Sequence, residues 1–119
     1  MLSKVLDFTT EFNASNGVKM DLSGWLNATV QVVTPSGTIN VTGSNDAGAI
    51  TGVTDGNALS SDNYTAIQLT NLATGAAVTT ISANGLYKTT QFGMPCKFIQ
   101  LAGSGVTVAK LLVFVNTIN

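Results

Sequence analysis

The amino-acid sequence predicts an all-β protein, an antiparallel β-sandwich, jelly-roll-like, of about eight short strands. Three observations predict it. Helix signals are nearly absent: no window sets apolar residues at i, i+3, i+4 and i+7 beside a charged face, and Glu11 is the one glutamate. Thr fills 17 of the 119 positions, and branching at Cβ suits a pleated surface. Apolar and polar residues alternate over short runs bounded by Gly, Pro, Asn and Asp.

The elements follow in order. Residues 1–16 read as an N-terminal arm and 17–119 as a single sandwich domain. Within the arm, residues 5–9 form a first candidate strand. In residues 18–22, Val18, Met20 and Leu22 alternate with Lys19 and Asp21. Residues 26–33 are clearest, with Leu26, Ala28, Val30 and Val32 on one face and Asn27, Thr29 and Gln31 on the other. Pro35-Ser-Gly37 turns the chain, and residues 38–43 return as a hairpin with the strand before them. Residues 43–63 are rich in Gly, Asn, Asp and Ser and read as a long loop. Further strands are expected at 64–72, 78–81 and, after the Asn84-Gly85 turn, at 86–87. Two more follow at 96–102 and 106–116, joined by a Gly103-Ser-Gly105 turn. From Leu111 to Val115 every residue is apolar. A strand apolar on both faces needs cover on both, here from the N-terminal arm or from another subunit.

The chemistry available is narrow. The chain has five Lys, no Arg, no His and six acidic residues, a formal charge of −1. Charged residues make up 9% of it, against roughly 25% in an average soluble domain. Without His there is no imidazole base or His metal ligand, and without Arg no bidentate anion clamp. Lys4, Lys19, Lys88, Lys97 and Lys110 are scattered, so no basic stripe for nucleic acid or an anionic membrane is expected. The lone Cys96 has no cysteine to pair with and no His to activate it, and reads as a small core hydrophobe. No enzyme, no cofactor and no metal is expected. No targeting segment is read at the start, and the apolar run 106–115 is too short for a bilayer span of roughly 20 residues.

The residues leave some sites open. Asp46, Asp55 and Asp62 sit in the long loop with Asn45, Asn57 and Asn63. Their spacing is no EF-hand, and Asn, Asp and Gly are ordinary turn formers. Trp25, Tyr64 and Tyr87 are candidate sugar-stacking rings, with core or rim packing as the plainer reading of Trp25. Leu2, Leu6, Phe8 and Phe12 of the arm, with Leu111, Val113 and Val115, are the candidate subunit or shell interface. The Asn-x-Ser/Thr matches at Asn13, Asn27, Asn40 and Asn63 are expected by chance in so Ser/Thr-rich a chain.

Several stretches carry a resemblance: Trp25-Leu-Asn-Ala-Thr-Val-Gln-Val-Val33, Gly37-Thr-Ile-Asn-Val-Thr-Gly-Ser-Asn-Asp46, Ala83-Asn-Gly-Leu-Tyr87, Lys97-Phe-Ile-Gln-Leu101 and Gly105-Val-Thr-Val108. Together they resemble the small β-rich virion proteins of tailed bacteriophages. The resemblance spans most of residues 18–115, through short motifs. It departs at Gly48-Ala-Ile-Thr51, where the family often carries Gly-x-x-Trp, and the missing aromatic weakens a glycan reading there. The resemblance implies a capsid decoration (cement) protein, made in the host cytoplasm. It would sit on the capsid exterior of the virion, commonly as a homotrimer, with the major capsid protein as partner. The alternative it implies is a glycan-recognising module of a head or tail fibre.

Overall fold

In a computed structural model, which describes residues 2–45, 54–55, 64–89 and 93–117, the alternating runs become strands of two antiparallel sheets. In chain order these are β1 (Ser3–Asp7), β2 (Gly17–Asp21), β3 (Asn27–Val33), β4 (Ile39–Ser44), β5 (Thr54–Asp55) and β6 (Thr65–Ala66). Then come β7 (Leu69–Asn71), β8 (Ala77–Val78), β9 (Thr80–Ile81), β10 (Gly85–Lys88), β11 (Phe98–Ala102) and β12 (Lys110–Asn116). The first sheet runs β1-β12-β3-β10-β7-β8 and the second β5-β2-β11-β4-β6, with β9 also on β4.

The pairing has one simple logic. β1 pairs with β12, β2 with β11, β3 with β10 and β4 with β9, all antiparallel. The first part of the chain thus lies back along the last part as one long ribbon. The ribbon is rolled, so that β12 also reaches β3 and β11 also reaches β4. That is the jelly roll the sequence predicts, with eight principal strands.

Rolling also explains three departures from expectation. β3 and β4 do not form a hairpin; they belong to opposite sheets, and Pro35-Ser-Gly37 carries the chain across the sandwich. The turns at Asn84-Gly85 and Gly103-Ser-Gly105 likewise pass between sheets, from β9 to β10 and from β11 toward β12. β12 begins at Lys110; the stretch before it, with Val106 and Val108 buried, is not strand.

The core lies between the sheets. Val30, Val32, Tyr87, Leu111, Val113 and Val115 enter from the first, and Val18, Met20, Ile39, Val41, Ile99 and Leu101 from the second. The segment expected as an arm is part of this body. β1 forms the edge of the first sheet, and a helix, α1 (Thr9–Ser15), follows it. Phe8 and Phe12 close the core beside β2 and β12.

No helix was expected here, because α1 hides its signal. The residues at i, i+4 and i+7 on its inner side are Thr9, Asn13 and Asn16, and they bond to backbone instead of packing on apolar side chains. Leu111 N–H donates to Thr9 Oγ1 at 3.0 Å. Asn13 holds Val108 at both ends: Val108 N–H donates to Oδ1 and Nδ2 donates to the Val108 carbonyl, each at 2.9 Å. Asn16 Nδ2 donates to the Val106 carbonyl at 2.8 Å. Asn13 and Asn16 therefore serve the backbone of a stretch that has left the sheet, and Thr9 the start of β12. Asn16 ends the helix in the left-handed region, φ 56°, where Asn is tolerated.

Candidate functional site

Of the seven interface candidates, five are enclosed by the chain itself. Phe8, Phe12, Leu111, Val113 and Val115 are core residues and offer nothing to a second molecule. Leu6 is half-buried against the same core, and Leu2 is exposed. The all-apolar run of β12 resolves into alternation: Leu111, Val113 and Val115 face the core, while Leu112 and Phe114 face outward. β1 extends the sheet beside them and does not cover them.

What remains outside is an apolar sheet face. The register places Val5, Phe114, Thr29 and Lys88 in one row across β1, β12, β3 and β10. The next row holds Asp7, Leu112, Gln31 and Leu86, and Leu72 follows where its N–H donates to the Leu86 carbonyl at 3.0 Å. Val5 is 61% exposed, Leu72 49%, Leu86 44% and Phe114 38%. The solvent side of an antiparallel sheet is ordinarily polar, so several large apolar side chains on one such side mark a contact surface. The charges in these rows are Asp7, on the edge strand β1, and Lys88, in the row of Phe114. Asp7 accepts the Thr9 N–H at 3.0 Å, and that bond, helped by the nearby Lys110 ammonium, holds its carboxyl below the usual range.

A second feature is a cleft of about 320 Å³ on the other flank. Trp25, Ser23, Asn45, Met94, Pro95, Cys96 and Lys97 are among its walls. Its frame is backbone: Leu22 N–H donates to the Lys97 carbonyl at 2.8 Å, and Trp25 N–H to the Leu22 carbonyl at 3.2 Å. Asn45 Oδ1 accepts the Lys97 N–H at 2.9 Å. Gly24 makes the turn into Trp25 in the left-handed region, φ +88°. Cys96 leans over Gly43 and donates to the Phe98 carbonyl at 3.2 Å; burial pushes its thiol up from the usual range.

The three candidate sugar-stacking rings do not converge. Trp25 lines the cleft. Tyr87 is buried, its hydroxyl donating to the Ala83 carbonyl at 2.9 Å, and Tyr64 is half-buried outside the cleft wall. Of the expected loop of residues 43–63, Asp46, Asn57, Asp62 and Asn63 lie outside the described residues, and Thr54–Asp55 pairs as β5 with β2. Among the described residues, no three His, Cys, Asp or Glu side chains gather as a metal site, and no helix is long and apolar enough to cross a membrane.

With the rolled ribbon and its open face described, comparison with solved structures becomes informative. The chain is similar in fold to the SPBc2 prophage-derived protein YomS. The TM-score is 0.61, over 97% of this chain and 95% of that one, at 12% sequence identity. At that identity the likeness is one of fold, and its extent shows that the same architecture spans both chains. No family model matches the sequence, and no curated protein sequence does.

Proposed function

We propose that the chain is a structural protein of a tailed-bacteriophage particle, and within that class a capsid decoration protein. The observation that carries this reading is the apolar outer face of the first sheet, with Val5, Leu72, Leu86, Leu112 and Phe114 exposed or half-buried. Such a face is costly to leave in water and is satisfied by lying on another protein. The prophage origin of the fold neighbour and the sequence resemblance to small virion proteins support the setting. On this reading the chain is no enzyme. It binds the major capsid protein from outside the head and, as a homotrimer, joins neighbouring shell subunits. Many copies on one shell make modest affinity per contact sufficient.

The test is addition of purified protein to bare heads, with bound copies counted by sedimentation and placed by electron microscopy. Binding is expected, and it should fall at least about tenfold when Leu86→Ser and Phe114→Ser are combined, a loss of about 1.4 kcal/mol or more. Failure of the unaltered protein to bind overturns the decoration role. Light scattering at tens of micromolar checks the trimer.

A further inference from the structure

The cleft beside Trp25 lies apart from the outward face of the first sheet, and the shell-binding reading does not use it. It has three useful properties. Part of its lining is apolar, from Trp25, Leu22, Met94 and Pro95. The polar groups in the rest of the lining are mostly donors: the Lys97 ammonium, the Ser23 hydroxyl and the Asn45 amide, whose oxygen is already taken by the Lys97 N–H. Among the described residues no carboxylate is in the lining, and the neighbouring Asp21 carboxylate accepts the Ser23 N–H at 3.0 Å. A ligand that fits must therefore present an apolar ring face, several acceptors and a negative charge. About 320 Å³ lies at the low end of the range for small-molecule sites, roughly 300–1,000 Å³. That is room for a single ring with its substituents.

We propose that this cleft binds an acidic sugar, a pyranose ring bearing a carboxylate. The C–H face of the ring lies on the Trp25 indole, and its hydroxyls accept from Ser23 and the Asn45 amide. The carboxylate meets the Lys97 ammonium in a charge-assisted hydrogen bond. The backbone bonds that tie residues 22–25 to Lys97, and Lys97 to Asn45, hold the walls in place before any ligand arrives. Lys97 supplies the preference for an acidic over a neutral sugar, because no other cation lines the cleft.

Trp25 is the one tryptophan of the chain, so its emission reports on this site alone. The intact protein is titrated with D-glucuronate and with N-acetylneuraminate. D-Glucose serves as the neutral sugar and sodium acetate as the charged compound without a ring. The expected result is a saturable change in emission with at least one acidic sugar. Half-saturation should fall at millimolar concentration, with glucose and acetate weaker by about tenfold or more. Lys97→Gln, an exposed substitution, should abolish the preference for the acidic sugar and leave the thermal midpoint in place. Trp25→Phe, followed by NMR shifts of residues 22–25 and 94–97, gives a second readout in which the smaller ring weakens binding. Flat titrations up to about 50 mM overturn the proposal. So does an equal response to glucose or acetate, or an unchanged preference in Lys97→Gln. None of these results bears on shell binding, which uses the outer face of the first sheet.

Discussion

Two glycines show how far backbone approach constrains single positions. A Cβ on Gly43 would run into the Cys96 sulfur and crowd Ile67, both side-chain atoms. A Cβ on Gly103 would stand 2.5 Å from the Thr38 carbonyl oxygen and 2.7 Å from Val106 Cγ2. A side chain can turn aside, whereas a backbone carbonyl in a crossing between sheets cannot. Gly43→Ala is expected to cost about 1–3 kcal/mol, the usual penalty of overpacking. Adding Cys96→Ala should return a good part of it. Gly103→Ala should cost at least as much, and no side-chain truncation nearby should relieve it fully, because the clash is with main chain. Urea unfolding of the two single variants and the double variant checks this; a double variant no better than Gly43→Ala alone would refute the reading. Neither glycine is conspicuous in the sequence. Gly103 sits in a Gly-Ser-Gly turn and Gly43 opens a polar loop, so both look like turn residues. Their real constraint is a neighbour some 50 or more positions away, which no local pattern records.

At the scale of the element, α1 was illegible for a physical reason. Sequence patterns find a helix by the apolar stripe it buries. Here Phe12 is the one buried residue of α1, and Thr9, Asn13 and Asn16, exposed or half-buried, bond to the main chain of residues 106–111. Asn13→Ala would leave the Val108 N–H and carbonyl without the protein partners they now have. The expected loss is about 1–3 kcal/mol, with the urea m-value unchanged. Asn13→Asp, which keeps the acceptor and loses the donor, should recover only part. Asp7 governs the entry to the same helix. Its carboxylate accepts the Thr9 N–H and lies near Lys110, so its titration is displaced downward on folding. A group depressed in this way stabilises the fold above its unfolded value, and that contribution is lost as pH falls through the folded value. Acid unfolding of Asp7→Asn should therefore be less steep below the ordinary carboxylate range than that of the unaltered chain. An identical acid limb would show that Asp7 does not contribute. The strands themselves were far more legible. Their alternation gives which residues face inward, and β3 and β12 read correctly to within a few positions. Alternation does not say which strand is the partner, and so the expected hairpin between β3 and β4 proved to be a crossing between sheets.

The cleft shows the same limit over the whole molecule. Trp25, Asn45 and Lys97 are each visible as motif residues, yet they come together only because the ribbon, once rolled, sets the turn before β3 beside the end of β4 and the start of β11. The rolled ribbon also has a kinetic consequence. Its pairs run from β4 with β9 out to β1 with β12, so the joining strands are far apart in sequence. Contacts that close long loops make folding slow, on the millisecond-to-second scale for sandwiches and barrels of this size. The outermost pair brings residues 2 and 117 together: Leu2 N–H donates to Thr117 Oγ1, and Thr117 N–H to the Leu2 carbonyl, both at 3.1 Å. A short linker can therefore join Thr117 to Leu2, with new ends opened between Thr74 and Gly75 in the exposed turn from β7 to β8. In that permutant β12 and β1 become neighbours in sequence, and the most distant pairing of the native chain becomes a local hairpin. The permutant is expected to reach the same fold, judged by near-ultraviolet circular dichroism and a urea midpoint close to that of the native chain. It should also refold faster in stopped-flow experiments. If β1 pairs with β12 only after the folding barrier is crossed, joining the ends leaves the rate unchanged, and the long-range pairing is not what sets it. Deletion of residues 1–8 separates the two cases at equilibrium. It removes β1 and the buried Phe8 together, and should bring unfolding to markedly lower urea, whichever step limits the rate.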